Sequence, residues 1–344
     1  MSFLVPKKPQ ILYAPMLSSF GGGSARGFNP GGGAGSLFDF TSHTFTNATS
    51  AGTLGPTLSN LTTAYSSTTW ASDSLFFTLD TSYNAQKFTI PESGTYRIQA
   101  RGAAGGPISG NNPQGSNGPG FGYTHRADFS LAQGTHLYIL VGQMGQTVVR
   151  TSNQSGPAGG GSFVFTENAG SETLLMAAAG GNGGSWESHD VRDPDGRAPG
   201  GADPVATDGT GRGSNGAGWQ ADGVDGRGGP AGQHAQGIGS DDGSDGKGAN
   251  FDAGNNVTNQ QLWQGNTSGY NGIGGGFGGG GTGTPYEGGG GGGYKGGFAK
   301  KDNDYSNRHL GYGALSYVKS DAGNKTNVGL GSAGTHGQVV LTRQ

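Results

Sequence analysis

The sequence predicts an all-β protein: an antiparallel β-sandwich of jelly-roll type with an inserted bundle of extended glycine helices and an extended amino-terminal arm. Three observations predict it. Short apolar runs with period-two alternation recur between turn residues. Glycine supplies 76 of the 344 residues, against an average of about 7%, and only 11 of these glycines precede residue 101. Pro6, Pro9, Pro15 and Pro30 exclude a long helix at the start of the chain.

Residues 1–36 read as the arm. Ile11, Leu12, Tyr13, Met16, Leu17 and Phe20 form an apolar set, followed by a glycine-rich joint that carries Arg26 and Phe28. An arm this apolar has no core of its own to enter. It is therefore expected to order on a neighbouring subunit.

Residues 37–180 read as the β body. Phe38, Phe40 and Phe45 lie in a Thr/Ser/Phe-rich segment that favours strands. One short helix is predicted within Thr57–Tyr65. Phe88 and Ile90, a turn at Glu92-Ser93-Gly94, then Tyr96, Ile98 and Ala100 read as a hairpin with one buried face. The pattern recurs in Phe129 and Leu131, a turn at Gln133-Gly134, then Leu137, Ile139 and Val141. Strand-like islands follow at Phe163-Val164-Phe165 and Leu174-Leu175-Met176. Short strands with regular turn signals indicate a sandwich or jelly-roll. A final strand within residues 336–344, at Val339-Val340-Leu341, is expected to return and pair with this body.

Residues 181–335 are the glycine-rich region. Each glycine loses more backbone freedom on folding than alanine, by roughly 0.5–1 kcal/mol, and dozens together exceed the net stability of a typical domain. With no side chain to bury, the return must come from close approach of backbones. Side-by-side left-handed helices with three residues per turn provide it, as glycine does at the crowded axis of collagen. A bundle of such polyglycine-II helices, with intervening loops, is the expectation.

Net charge is −3 and the pI about 6.1. The longest cationic cluster is Lys300-Lys301, so no nucleic-acid footprint exists. There is no cysteine, hence no disulfide framework or thiolate metal site. Lys7 and Lys8 are not followed by the apolar core of a secretory signal. No run of 18 apolar residues occurs, so no membrane insertion is expected.

Catalytic sets are equally sparse. His43, His125, His136, His189, His234, His309 and His336 form no HExxH pattern. No GxSxG elbow occurs, and Gly209–Ser214 lacks the Gly-Lys-Ser/Thr ending of a phosphate loop. A non-enzymatic protein without cofactors is expected. Asp190, Asp193, Asp195, Asp241, Asp242 and Asp245 are oxygen ligands of the kind calcium takes, but without the spacing of a calcium loop. They are read as solvated loops. Trp186, Trp219, Trp263, Tyr270 and Tyr286, with Tyr294 and Tyr305, have little core nearby. Two readings stay open: recognition loops, or caps on the ends of the bundle.

Several blocks resemble the glycine-rich extracellular region of anaplastic lymphoma kinase and leukocyte tyrosine kinase. These are Gly55-Pro56-Thr57 to Tyr65, Thr89–Tyr96, Gly102–Gly106, Leu137–Gln143, Gly159–Phe165, Ala177–Gly181, Gly275–Gly281, Gly289–Gly297 and Gly337–Val340. The resemblance covers roughly residues 47–181 and 272–342 and implies a tumour-necrosis-factor-like sandwich with inserted polyglycine-II helices. The cysteines, membrane span and kinase of those receptors have no counterpart here, and no cytokine-binding residue is carried over. The arm, with Phe45-Thr46-Asn47, Ala64–Ser67 and Trp70-Ala71-Ser72, resembles leaders on structural proteins of marine tailed phages. Glycine-rich loops on polyglycine-II bundles resemble the receptor-binding tips of phage tail fibres.

Together these resemblances imply a virion protein (tail fibre, head fibre, spike or decoration subunit) made in the host cytoplasm. Its partners would be other virion proteins, met through the arm in an oligomeric assembly, and a host-surface glycan or protein. The alternatives are a secreted or cell-surface ligand-binding module and a structural joint without an external ligand.

Overall fold

The computed structural model describes residues 36–109, 118–149, 155–184, 196, 216, 218–219, 274–281, 288–297, 299–301 and 309–344. The chain divides into two units, Met1–Gly35 and Ser36–Gln344, and only the second is described. The arm residues Ile11, Leu12, Tyr13, Met16, Leu17, Phe20, Arg26 and Phe28 thus lie outside the described residues.

The elements run β1 (Ser42–Phe45), α1 (Leu58–Ala64), β2 (Phe77–Asp80), β3 (Ala85–Thr89), β4 (Gly94–Arg101), β5 (Ile108–Ser109), β6 (Tyr123–Leu131), β7 (His136–Leu140), β8 (Val148–Val149), β9 (Ser162–Asn168), β10 (Ser171–Ala178), β11 (Ala299–Lys301), β12 (His309–Gly311), β13 (Tyr317–Val318), β14 (Gly323–Leu330) and β15 (Gln338–Arg343). The described chain is mostly β, with one helix. One antiparallel sheet has the order β1-β15-β4-β6-β14, the other β13-β10-β9-β7-β3-β2. Two short ladders, β11-β12 and the parallel β5-β8, stand apart.

β15 lies between β1 and β4, with Leu341 opposite both His43 and Ile98. The carboxy-terminal strand therefore completes the first sheet, as the sequence predicts. β13 and β14 also join the sheets. They are residues that the sequence division gave to the glycine-rich region.

The two hairpins read from alternation are not hairpins. β3 pairs with β2 and β7, whereas β4 pairs with β15 and β6. The turns after Ile90 and Leu131 therefore carry the chain from one sheet to the other. Pro91 has no N–H to continue a ladder. The two crossings are also bonded to each other: Ile90 N–H donates to Thr135 O and Gly134 N–H to Ile90 O, both at 2.8 Å. Gln133 donates from its side chain to Pro91 O and from its backbone to Ser93 Oγ. Period-two alternation says that one face is buried, not which strand lies alongside.

Inward residues of both sheets share one core, from Ile98, Ala127 and Val339 on one side to Leu137, Ile139 and Val164 on the other. Its aromatic centre is Phe88, whose ring lies 5.1–5.7 Å from Phe38, Phe40, Phe45 and Trp70. α1 seals one margin. Thr57 and Asn60 form a reciprocal capping box at its start, and Leu61 is its buried residue. Just beyond it, Tyr65 donates its hydroxyl to Gln86 Oε1 at 2.9 Å.

The second sheet is buried on both faces, which explains the unbroken apolar runs of β7 and β9. Its outer face carries Tyr138, Leu140, Phe163, Phe165 and Leu174, covered by Trp219 and Phe277. The first sheet's outer face is polar. There Arg97 pairs with Asp128 through two bonds of 2.7 and 2.9 Å, and Asn324 donates to the same carboxylate. These bonds, Arg97's first, hold the Asp128 carboxyl below its ordinary pKa.

Because Phe88 is fully enclosed by aromatic neighbours, Phe88→Ala is expected to destabilise the two-sheet body by about 3–5 kcal/mol. Denaturant midpoints measure this directly, and a loss below about 1 kcal/mol would contradict the assigned core.

Candidate display surface of the glycine layer

Glycine-rich segments extend from the strand ends of both sheets. Segments 102–107, 142–147 and 179–184 continue out of β4, β7 and β10, while 118–122 and 155–161 lead into β6 and β9. Segments 274–281 and 288–297 pack among them.

They are joined backbone to backbone, and the donors repeat every third residue. Gly156 and Gly159 donate to Gly184 and Gly181, while Ala158 and Gly161 donate to Gly281 and Gly278. Gly160 donates to Gln143 O, and the residue three before it is Pro157, which has no N–H to place. Neighbouring pairs keep the same interval: Gly180 and Gly183 donate to Gly292 and Gly289, and Gly102 and Gly105 to Tyr123 and Gly120. Segment 155–161 alone bonds to five others: 102–107, 142–147, 179–184, 274–281 and 288–297.

This spacing leaves no room for side chains. A Cβ on Gly183 would lie 1.7 Å from Gly156 O, and one on Gly160 would lie 1.8 Å from Phe277 O. The obstacle in each case is backbone, which cannot swing aside. Two of the polar side chains buried among these segments are amides whose N–H groups bond to backbone. Gln143 donates to Leu54 O, and Asn182 to Gly183 O.

The register also gives the layer two distinct ends. Gly102, Tyr123, Gly142, Gly161 and Ala179 lie at the strand end of the layer. At the opposite end Gly106 bonds to Pro157, Gly156 to Gly184, Gly120 to Asn182, Gln146 to Gly274 and Gly183 to Gly289.

Of the aromatic candidates, Trp219 is described, and it is not displayed. It is 6% exposed and packs at 6.0 Å on Phe163 and 5.2 Å on Phe165. The outer face of β9 is apolar and needs covering, so Trp219 serves as that cover. Of the two readings left open for it, burial favours a covering role over recognition. Tyr294 likewise stacks on Tyr317 at 4.6 Å. Trp186, Trp263, Tyr270, Tyr286 and Tyr305 lie outside the described residues, as do Asp190, Asp193, Asp195, Asp241, Asp242 and Asp245. Among the described residues no three His, Asp or Glu side chains gather as a metal site.

The described histidines are dispersed. His43 stands edge-on to Phe45, Tyr65 and Trp70 at 4.6–4.8 Å, and burial lowers its pKa to about 4. His125 is fully buried at the root of the layer, its Nδ1 3.3 Å from Asn327 Oδ1. Burial lowers it to about 4, against the opposing pull of Asn327. Sequence reasoning missed a shallow cleft of about 340 Å³ between Leu54–Leu58 and the β2–β3 turn. Its signal was local: Leu54 and Leu58 flank Pro56 just before a capping threonine.

No known protein family matches this chain, and no curated protein matches it.

Two predictions follow from the layer and its root. Gly183→Ala is expected to cost about 3 kcal/mol or more, whereas Gly118→Ala, with open space around its Cβ, is expected to be neutral or stabilising by about 0.4–1 kcal/mol. Equal effects in thermal melts would contradict backbone contact as the constraint. For pH, the folded pKa of His125, about 4, lies below its unfolded value of about 6.5. Its contribution is complete above pH 6.5 and is lost as pH falls towards 4, because the unfolded chain takes the proton first. The loss is on the order of 3 kcal/mol. His125→Gln is expected to flatten the fall in denaturant midpoint between pH 7 and 4.5, and an unchanged slope would refute the assignment.

Proposed function

We propose that this chain is a non-enzymatic virion structural protein of a tailed phage. In this reading the arm anchors it to other virion subunits, and the glycine layer holds loops towards the host surface. The observation that carries the reading is the backbone-bonded glycine layer built on the strand ends of the two-sheet body, in which segment 155–161 alone bonds to five others. Loops presented from a rigid base are a common arrangement for recognition, and ordering the base in advance lowers the entropy lost on binding.

Within the same proposal, the glycine segments are polyglycine-II helices and the body is a tumour-necrosis-factor-like jelly-roll. The three-residue interval of the donors supports the first point, since such helices have three residues per turn. The two antiparallel sheets around one core support the second. The resemblances to the receptor ectodomains and to phage leaders favour both. The ligand in this reading is a surface glycan or protein of the host.

Replacing residues 220–273 with a short glycine-serine link in assembled particles tests the display role. Normal incorporation with strongly reduced adsorption to host cells is the expected result. Unchanged adsorption would reduce the protein to a joint without an external ligand. Deleting residues 1–35 is expected to abolish incorporation, and retention on the particle would overturn the anchoring role.

A further inference from the structure

β2 is the outer strand of the six-stranded sheet. The bond from Thr89 N–H to Phe76 O, 2.8 Å, sets the phase of its ladder, so residues 76, 78 and 80 bond with β3. Phe77 and Leu79 turn their backbone groups the other way. Phe77 N–H is engaged by Asp73 O. The N–H and C=O of Leu79 face the open edge, and no other described segment is bonded to them.

The shallow cleft lies beside this edge. Leu54, Pro56, Leu58 and Leu79 form its apolar walls, with Thr81 and Asn84 at the rim, and no charged side chain lines it. Leu54 is 53% and Leu58 43% exposed. An open strand edge next to an uncharged apolar cleft is the arrangement that takes up an extended peptide: backbone bonds hold the strand and the cleft receives alternate side chains.

We propose that the occupant is the amino-terminal segment Gln10–Ala14 of a second copy of this chain, added to the β2 edge. The inference rests on the anchoring role of the arm and names its partner surface. From Pro9 to Phe20 the sequence carries no charge, bounded by Lys8 on one side and Arg26 on the other, and so matches the uncharged cleft. Gln10–Ala14 keep all their N–H groups between Pro9 and Pro15, and prolines are tolerated on edge strands. Ala14, as the residue before a proline, favours the extended state. Phe38, downstream of the arm, lies beside this edge, its ring 4.6 Å from that of Phe76. The 15 residues from Gly21 to Gly35 include eight glycines, and a glycine-rich chain of that length reaches roughly 20 Å. Two copies brought together at this face can thus exchange arms reciprocally, each closing the other's edge.

The chain has no cysteine, so disulfide trapping has no background. Full-length chains carrying Ile11→Cys, Leu12→Cys or Tyr13→Cys are each mixed with chains carrying Leu58→Cys and oxidised. Leu58 is exposed, so its replacement leaves the core intact. Pairs with Ser130→Cys, on the opposite sheet, give the collision rate. Docking as a strand predicts intermolecular disulfides roughly tenfold or more above that rate, alternating along the segment: positions 11 and 13 alike, position 12 different. Yields equal to the Ser130 control, or equal at all three positions, would overturn the proposal. So would a disulfide formed within one chain when Ile11→Cys and Leu58→Cys are combined, since the arm would then serve its own body. If trapping fails while deletion of residues 1–35 still abolishes incorporation, the anchoring role stands and its partner is a different subunit.

Discussion

The structure depends on hydrogen bonds between peptide groups of chain segments that have almost no side chains. A glycine-rich stretch gains little from burial of apolar area, the usual source of stability. It gains instead from pairing peptide donors and acceptors at close range, mostly against other backbone, where an unpaired buried peptide group would be costly. Segment 155–161, bonded to five neighbours, shows why such a layer is all-or-none: removing one member leaves unsatisfied groups on several others.

The two-sheet body supplies what the layer cannot supply for itself, which is register. Five glycine segments are direct continuations of β4, β6, β7, β9 and β10. The ladder from Gly94–Leu131 to Arg101–Thr124 runs straight on into the bond from Gly102 to Tyr123. Side-chain packing in the core therefore sets the position of each strand, and strand position sets which peptide groups meet beyond it. Core residues Ile98, Ile139 and Val164 sit on β4, β7 and β9, whose chains run on into or out of the glycine segments.

Much of this was legible in the sequence. The alternating apolar residues located β3, β4, β6 and β7, Thr57 marked the start of α1, and Val339–Leu341 found the closing strand. Alternation did not reveal strand partners. Pro91 and the Gln133-Gly134 corner turn the chain between sheets, and a sequence pattern of period two is the same for a hairpin and for such a crossing. β14 was missed because Gly323–Leu330 is an exposed edge strand and has no buried face to impose alternation. Trp219 stayed undecided between recognition and covering because β9, on which it packs, is more than 50 residues away in sequence, with nothing local to indicate a core. The candidate recognition residues were legible only as composition, since aromatic side chains among glycines are equally suited to covering a sheet and to contacting a partner.

The most direct measurement of the central claim is native-state amide hydrogen exchange of the intact chain, resolved by peptide across residues 155–184 and 288–297. A backbone-bonded layer predicts protection comparable to that of the strands β4, β6 and β9, lost together with theirs on global unfolding. Exchange in those glycine peptides at the rate of an unstructured chain, while the strands remain protected, would contradict the account.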